Sequence, residues 1–435
     1  MAVAALSPAQ LLRPKADRVI AALDVGTSKV AALIAEVDGE GPPRVLGAGV
    51  RACNGLKRGL VADMARTEDA VRAAMQQAER AAGVEIERVL VAISAGGLES
   101  SVTSVEIDIA GHRITQADLE RLLGEGRDRI FEAIRGSGRS MLHAEPALFM
   151  VDGLEGVTDP VGFHAHQLGV DIHVITAATP PCRNLDLAVR NAHLDVEAII
   201  ASGVAASAAV LAEEERELGV ALVEIGAGVT TIAVHGGGVL AGLASVPMGG
   251  ADITADIASA FATRRAAAER LKTLHGAAQA VPRDNHDMVD IPPLDPDDAG
   301  EPRRAPRAEL IAVIRTRLDL LFGEIAAALD QLGFRGTAGR QVVLTGGTAE
   351  LRGIADFAAG ALSRSVRIGR PRGLAGLPES HASVAHATLA GLVLAGARPG
   401  LDLARMPLRA APRGLAPAAP ASWLGRLVAV LKRQS

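Results

Sequence analysis

The chain has 435 residues, of which 49% are hydrophobic and 22% are charged, and its net charge is −5 at pH 7. This apolar content excludes a disordered chain, and the length corresponds to about three domains of ~150 residues each. The acidic balance and the 2% aromatic content argue against a nucleic-acid partner, because basic and stacking side chains are scarce. The distant pair Cys53 and Cys182 is typical of a reducing compartment. No apolar run reaches about 18 residues, so we predict no membrane-spanning helix.

The predicted elements alternate between strands and helices after an N-terminal tail. Hydrophobic periodicity and glycine positions define the elements of the first part of the chain. In order, these are a tail over 1–17, strands over 19–25 and 30–37, a helix over 67–82, two strands within 89–110 and a helix over 115–124.

A second strand, turn and strand begin at Ala221 and open the later part of the chain. Residues 281–306 are rich in Pro and Asp and read as a surface insertion. The other elements are helices over 251–274, 307–332, 350–361 and 381–397, a strand over 341–345, a Pro/Ala linker over 401–421 and a C-terminal helix over 422–435.

Two strand–turn–strand units look like imprecise copies of one another. In LDVGTSK (23–29) and VEIGAGVT (223–230), an acid ends an apolar strand and a glycine follows two residues later. Glycine permits a tight turn whose backbone N–H groups can hold an anion. The acids, Asp24 and Glu224, can hold Mg²⁺ directly or through water. If the turns face each other, they would clamp a polyphosphate through Gly26, Thr27, Ser28, Lys29, Gly226, Ala227 and Gly228.

Two ordinary glycine hairpins in a β-rich core are the alternative interpretation. The turns match neither a Walker A loop nor a Rossmann fingerprint, because no GxxxxGK[ST] occurs and both turns lead into strands. The duplication, the paired acids and a third glycine pair, Gly346 and Gly347, favour the phosphate-binding interpretation.

The last fourteen residues predict an amphipathic helix. At ~100° per residue, Trp423, Leu424, Leu427, Val428 and Leu431 lie within an apolar arc about 160° wide. The opposite side carries Arg426, Lys432 and Arg433. This pattern is typical of a helix lying in an anionic membrane surface, and the alternative is a helix that docks on protein.

These motifs together resemble the actin/hexokinase/heat-shock-chaperone ATPase superfamily and, within it, the FtsA family of bacterial cell-division proteins. The resemblance covers roughly residues 18–400 and the tail. Its motifs are the first phosphate motif at 23–37, a connecting helix and second phosphate motif at 202–234, a nucleoside segment at 268–272, an adenosine motif at 342–354 and a second connecting helix at 381–396. Residues 89–168 resemble the 1C subdomain of that family.

The resemblance implies an α/β actin-like fold with two related halves around a nucleotide cleft and an SHS2-like 1C insertion. It also implies ATP and Mg²⁺ as ligands, with Glu269, Lys272, Gly346 and Gly347 around the nucleoside. The implied domains are subdomain 1A at 18–85 and 167–201, 1C at 86–166, 2A at 202–250 and 334–380, 2B at 251–333, and a helix returning to 1A at 381–400.

The functional role implied by the resemblance is a peripheral protein on the cytoplasmic face of the inner membrane, at the division septum. It would tether FtsZ filaments through contact of the FtsZ C-terminal tail with subdomain 2B, polymerise with itself and recruit later division proteins. A pilus-assembly platform protein and a metabolite kinase of the same superfold are the alternatives.

The second phosphate motif departs from the family pattern at Glu224, Ala227, Val229 and Thr231, where the family usually has Asp, Gly, Thr and Asp. A longer carboxylate shifts a bound metal or water, and a misplacement of ~1 Å can cost about 10²-fold in catalysis. We therefore expect ATP binding with slow or absent hydrolysis.

Overall fold

The computed structural model describes residues 18–38, 41–95, 97–295, 303–335 and 341–397. The predicted tail, the linker and the C-terminal helix lie outside these ranges. Among the described residues, no helix is both long and apolar enough to cross a bilayer.

The strands of the described chain follow one another in this order: β1 (Arg18–Val25), β2 (Lys29–Val37), β3 (Arg44–Ala52), β4 (Leu56–Lys57), β5 (Leu60–Val61), β6 (Arg88–Ile93), β7 (Glu99–Asp108), β8 (Arg139–Val151), β9 (Leu154–Val157), β10 (Gln167–Ala178), β11 (Asp195–Ala201), β12 (Val220–Ile225), β13 (Thr230–Gly236), β14 (Val239–Val246), β15 (Met288–Ile291), β16 (Arg303–Pro306), β17 (Gln341–Thr345) and β18 (Ser365–Ile368).

The helices are α1 (Met64–Ala82), α2 (Gln116–Ile134), α3 (Thr179–Asn191), α4 (Ser202–Val210), α5 (Glu213–Leu218), α6 (Gly250–Ala260), α7 (Arg265–His275), α8 (Arg307–Gln331), α9 (Ile354–Leu362) and α10 (Ala387–Ala397).

Two five-stranded sheets share one topology, which confirms the predicted pair of related halves. The first has the order β11-β6-β1-β2-β3 and the second has the order β18-β17-β12-β13-β14. In each sheet, three strands form an antiparallel meander, and two further strands run parallel to the first strand of that meander. Both sheets bury near-continuous apolar strands, as expected for sheets covered on both faces.

A third sheet, in the order β7-β10-β8-β9, is antiparallel and packs against α2. Helix α2 begins at Thr115, whose side chain accepts from the Asp118 N–H while Asp118 accepts from the Thr115 N–H. This capping box explains why the helix starts where the sequence predicts. Strand β6 belongs to the first sheet and β10 to the third, so the inserted unit excludes 88–93 and includes 167–178, unlike the predicted range 86–166.

Two predicted elements differ from the structure in the second half. The single helix predicted over 251–274 is two helices, because Ala262 adopts φ of 47° between them and no helix continues through that conformation. The predicted surface insertion contains the paired strands β15 and β16. Asp284, 1% exposed, forms an ion pair there with Arg307 at 2.5 Å, which anchors the segment.

Helices α4 and α10 cross in direct backbone contact beside the two large sheets. A Cβ atom added at Gly391 would lie 1.7 Å from the carbonyl oxygen of Ala205. The helix predicted over 381–397 begins only at Ala387, and short 3₁₀ turns precede it at 379–381 and 384–386. These turns carry two histidines into the interior, where they meet the first glycine turn.

Candidate functional site

The two glycine turns have the same backbone geometry. The Gly26 N–H donates to the Lys29 carbonyl at 3.0 Å, and the Gly226 N–H donates to the Val229 carbonyl at 3.0 Å. Each turn joins the first two strands of its sheet at the same place in the topology. The structure therefore supports the interpretation of the two sequence units as copies.

The structure brings the two turns face to face. A Cβ atom added at Gly228 would lie 2.7 Å from the Thr27 hydroxyl and 2.9 Å from the Cα atom of Arg58. The Thr27 hydroxyl also accepts from the Gly59 N–H at 3.0 Å. A side chain at position 228 would thus separate the turns, so glycine is required for this approach. Ser28 lies at the exposed tip of the first turn.

The two acids lie behind the turns and influence each other. Desolvation raises the pKa of Asp24 to about 6, against a smaller lowering by Lys29. Desolvation likewise raises the pKa of Glu224 to about 7, and the nearby Asp24 carboxylate adds to this. Thr388 donates to Glu224 Oε1, whereas Oε2 has no hydrogen-bond partner among the described residues. Two such carboxyls readily accept a cation, because a cation offsets the cost of ionising both.

Lys29 contacts a histidine pair that the sequence analysis did not assign to the site. Its Nζ atom lies 2.9 Å from His386 Nε2, and the ring of His381 lies 4.8 Å from that of His386, centroid to centroid. Both histidines are 7% exposed. Burial, with the Lys29 charge, lowers the pKa of His386 to about 3, so this ring is neutral and accepts from the lysine. Burial also lowers the pKa of Lys29, against the pull of Asp24 and Glu350.

The start of α6 fixes the backbone of the second turn. The Gly226 carbonyl accepts from the Gly250 N–H at 3.0 Å and from the Thr348 hydroxyl at 3.0 Å. The Ala227 carbonyl accepts from the Ala251 N–H at 2.7 Å. The Gly226 and Ala227 carbonyl groups are therefore occupied by protein.

Glu269 and Lys272 lie on α7 against the first turn of α6. Lys272 Nζ donates to the Gly250 carbonyl at 2.9 Å, to Thr254 Oγ1 at 2.9 Å and to Glu269 Oε2 at 2.8 Å. Thr254 also donates to Glu269 Oε2. Lys272 binds the Gly250 carbonyl, and the Gly250 N–H binds Gly226 of the second turn. This predicted nucleoside pair therefore lies beside that turn.

The third glycine pair follows β17 and lies under the second turn. Gly346 has φ of 85°, and a Cβ atom there would lie 2.6 Å from the Ile225 carbonyl oxygen. Its N–H donates to the Val384 carbonyl at 3.1 Å, close to the histidine turn. Gly347 begins the 3₁₀ turn that presents Thr348 to Gly226. All three predicted glycine segments therefore converge.

The donor set fits Mg²⁺ with a polyphosphate. Asp24 and Glu224 offer hard oxygen ligands, and Glu224 Oε2 is buried with no partner in the described chain. Within the described ranges, no group of three or more His, Cys, Asp or Glu side chains could form a cage for a metal. Mg²⁺ commonly binds through one or two carboxylates, with phosphate oxygens and water as the other ligands.

Sequence reasoning missed four residues that lie against the turns, the acids or Lys29, namely Arg58, His381, His386 and Thr388. Two of them had a usable signal. His386 and Thr388 are polar within an otherwise apolar run, and such residues require a partner when buried. The eight predicted membrane-contact residues lie outside the described residues. They are Trp423, Leu424, Arg426, Leu427, Val428, Leu431, Lys432 and Arg433.

Comparisons with known proteins agree with this architecture. The family model "Cell division protein FtsA" matches residues 221–391, and the model "SHS2 domain inserted in FTSA" matches residues 95–176. The chain is similar to cell division protein FtsA of Rhizobium meliloti, with 36% identity over 393 residues that cover 88% of each chain. It is 32% identical to cell division protein FtsA of Escherichia coli over 383 residues, covering 86% of this chain and 90% of that protein.

A solved structure shares the fold. The PilM-PilN type IV pilus biogenesis complex contains a chain that superposes with a TM-score of 0.60 and 18% identity, covering 87% of this chain and 99% of that one. This likeness concerns the fold alone. The two matched sheets, the SHS2 insertion and this neighbour establish the actin-like α/β fold. With these matches along nearly its whole length, the chain belongs to the FtsA family of cell-division proteins.

Proposed function

We propose that this protein binds ATP with Mg²⁺ and tethers FtsZ filaments to the cytoplasmic face of the inner membrane at the division septum. Membership of the FtsA family establishes an actin-like role in cell division. The ATP-binding part depends on one observation, which is the meeting of two matched glycine turns in front of two carboxyls with raised pKa values. That arrangement suits a polyanion with a bound cation.

Each group around the turns has a separate proposed task. The free N–H groups of the turns, the Thr27 and Ser28 hydroxyls and Lys29 would bind phosphate oxygens. Asp24 and Glu224 would hold Mg²⁺, which offsets the phosphate charge when bound. Lys272 and Glu269 would face the nucleoside. ATP would then favour a polymerising conformation, because it contacts both halves at once.

We expect slow ATP turnover. Glu224 extends one methylene further than the usual Asp, so a water that it holds would be displaced from its in-line position. A phosphate-release assay on the purified protein checks this, and steady release of several phosphates per second would contradict it. The Glu224→Asp variant is the matched test, because it should raise turnover if carboxylate length limits the reaction.

The FtsZ-binding part concerns the region of α6 to α8, predicted as subdomain 2B. Its surface exposes several large apolar side chains, namely Leu274, Val281, Met288, Leu294 and Leu320. Exposed apolar groups of this kind are available for contact with a peptide segment. We propose that the FtsZ C-terminal tail binds here, that copies of this chain polymerise, and that the polymer recruits later division proteins.

The membrane part depends on the C-terminal sequence pattern. One short amphipathic helix binds weakly, and a polymer would strengthen binding by linking many such helices. Leu427→Glu should abolish binding to anionic vesicles, because it places a charge in the centre of the apolar arc. Ala429→Glu is the matched control, since Ala429 lies on the polar side of the same helix.

Co-sedimentation with anionic vesicles, with and without FtsZ at saturating ATP, tests the tether directly. FtsZ should pellet with vesicles only when this protein carries an intact tail. Pelleting of this protein without FtsZ would disprove the tether and leave a membrane-bound ATP-binding protein. Failure of this protein to pellet at all would make the tail a protein-docking helix.

A further inference from the structure

The β4–β5 hairpin carries an arginine in an unfavourable backbone conformation. Arg58 has φ of 51° and Gly59 has φ of 75°, the left-handed pair of a two-residue hairpin turn. Gly, Asn and Asp are the residues preferred at such a first position, because a longer side chain crowds the backbone there. Arginine at this tip has a steric cost, and residues held in such backbone conformations cluster at functional sites.

This hairpin lies against both glycine turns. Its Gly59 N–H donates to Thr27 of the first turn at 3.0 Å. On the other side, a Cβ atom added at Gly228 of the second turn would lie 2.9 Å from the Arg58 Cα atom. The tip of the hairpin is therefore the part of the first half that touches both turns.

The Arg58 guanidinium crosses to the second half. Its Nη2 atom lies 3.2 Å from Asp252 Oδ1, on the first turn of α6, while Asp252 Oδ2 accepts from the Gly249 N–H at 2.9 Å. The arginine side chain is 53% exposed and that of Asp252 is 19% exposed. An ion pair this exposed is weak and exchanges easily. A terminal phosphate offers more charge and two oxygens to the planar guanidinium, so it competes well with one carboxylate.

We propose that Arg58 is a further nucleotide-binding residue, which exchanges Asp252 for the terminal phosphate of a nucleoside triphosphate bound between the turns. This inference depends on the proposed nucleotide site. It makes Arg58 a determinant of triphosphate over diphosphate, since the proposed contact is with a phosphate that the diphosphate lacks. It also links the bound phosphate to the contact between the two halves.

The test is a fluorescence titration of the full chain with mant-ATP and mant-ADP in the presence of Mg²⁺. Arg58→Gln should lower ATP affinity about tenfold and ADP affinity less than about threefold, because a charge-assisted bond is lost only with ATP. Arg58→Gly should do the same, and glycine tolerates the positive φ, so this variant keeps the hairpin intact. Arg66→Gln is the matched control, since Arg66 is an exposed arginine of α1 that pairs with Asp63.

Asp252→Asn should change ATP affinity in the opposite direction. Without the competing carboxylate, Arg58 is free for phosphate, and ATP affinity should rise a few-fold; this gain should vanish in the Arg58→Gln background. If Asp252 instead acts by simple repulsion of ATP, the gain in ATP affinity persists in the Arg58→Gln background. That result would overturn the proposed exchange. An unchanged ATP-to-ADP preference in both Arg58 variants also overturns it. If the unmodified protein binds neither nucleotide, the proposed nucleotide site itself is wrong.

Discussion

Lys29 illustrates how a neutral acceptor holds a buried ammonium group through one hydrogen bond. Its ammonium group donates to the neutral imidazole of His386, and the other ring nitrogen of His386 lies 3.4 Å from the Ser383 hydroxyl. Because Nε2 accepts from the lysine, the imidazole proton lies on Nδ1 and points to Ser383. His386 thereby holds Lys29 without neutralising its charge.

Removal of this acceptor should weaken nucleotide binding. His386→Leu leaves Lys29 without a buried partner, and we expect about a tenfold loss of ATP affinity, since a bond to a charged group contributes ~1.5–3 kcal/mol. His386→Gln should retain most of the affinity, because its amide oxygen can accept from the lysine. Calorimetric titration with ATP measures both, and equal losses in the two variants would refute a role for the acceptor.

The crossing of α4 and α10 shows what small residues do at the scale of elements. The two helices touch backbone to backbone at Gly391 and Ala205, so no side chain fits at position 391. Both helices consist largely of buried small and apolar residues. This close crossing brings Thr388 of α10 within hydrogen-bonding distance of Glu224 on β12. Helix packing thus positions a polar group of the site.

Gly391→Ala should destabilise the protein by more than about 2 kcal/mol, because the added Cβ overlaps the Ala205 carbonyl and forces the helices apart. Gly360→Ala is the matched control on the exposed side of α9, where the added Cβ would meet no atom within 4 Å beyond the neighbouring residues and backbone of its own helix. That change should stabilise by ~0.5–1 kcal/mol through helix propensity. Chemical denaturation measures both, and a stable Gly391→Ala variant would exclude the backbone contact.

Three buried histidines mark the junction of the inserted unit with the two halves at the scale of the whole molecule. His143 and His173 belong to the inserted sheet and are each 3% exposed, while His235, on β13, is 8% exposed. The Ala201 N–H donates to His143, and hydroxyls lie within 2.9 Å of Nε2 of the other two rings. Burial lowers the pKa of His173 to about 4 and of His235 to about 3.

These lowered pKa values predict that the folded protein loses stability in acid. Between pH 6.5 and about 3, the unfolded chain binds more protons at His235 than the folded chain, so stability falls as pH falls through this range. His235→Gln keeps a group at the Nε2 position but cannot titrate, and its melting temperature should fall less between pH 7 and pH 5. His275→Gln, at an exposed histidine of α7, should follow the unmodified protein. Parallel curves for all three proteins would show that His235 makes no contribution.

The sequence by itself determined the duplicated halves, the glycine turns with their acids, and the boundaries of several elements, because these features depend on local periodicity and turn chemistry. Gly83 in the left-handed region after α1, and strand β17 at 341–345, lie where local rules predict them. The family was also readable from the order and spacing of short motifs.

Only the tertiary structure decided which distant residues lie around the candidate site. Arg58, Asp252 and His386 lie in three separate parts of the chain, and none has a local pattern that names its partner. The boundary of the inserted unit was likewise decided by strand pairing, since β6 and β10 have similar apolar sequences but join different sheets. Hydrogen-bond partners across 100 residues or more depend on how sheets and helices pack, and local sequence does not encode that choice.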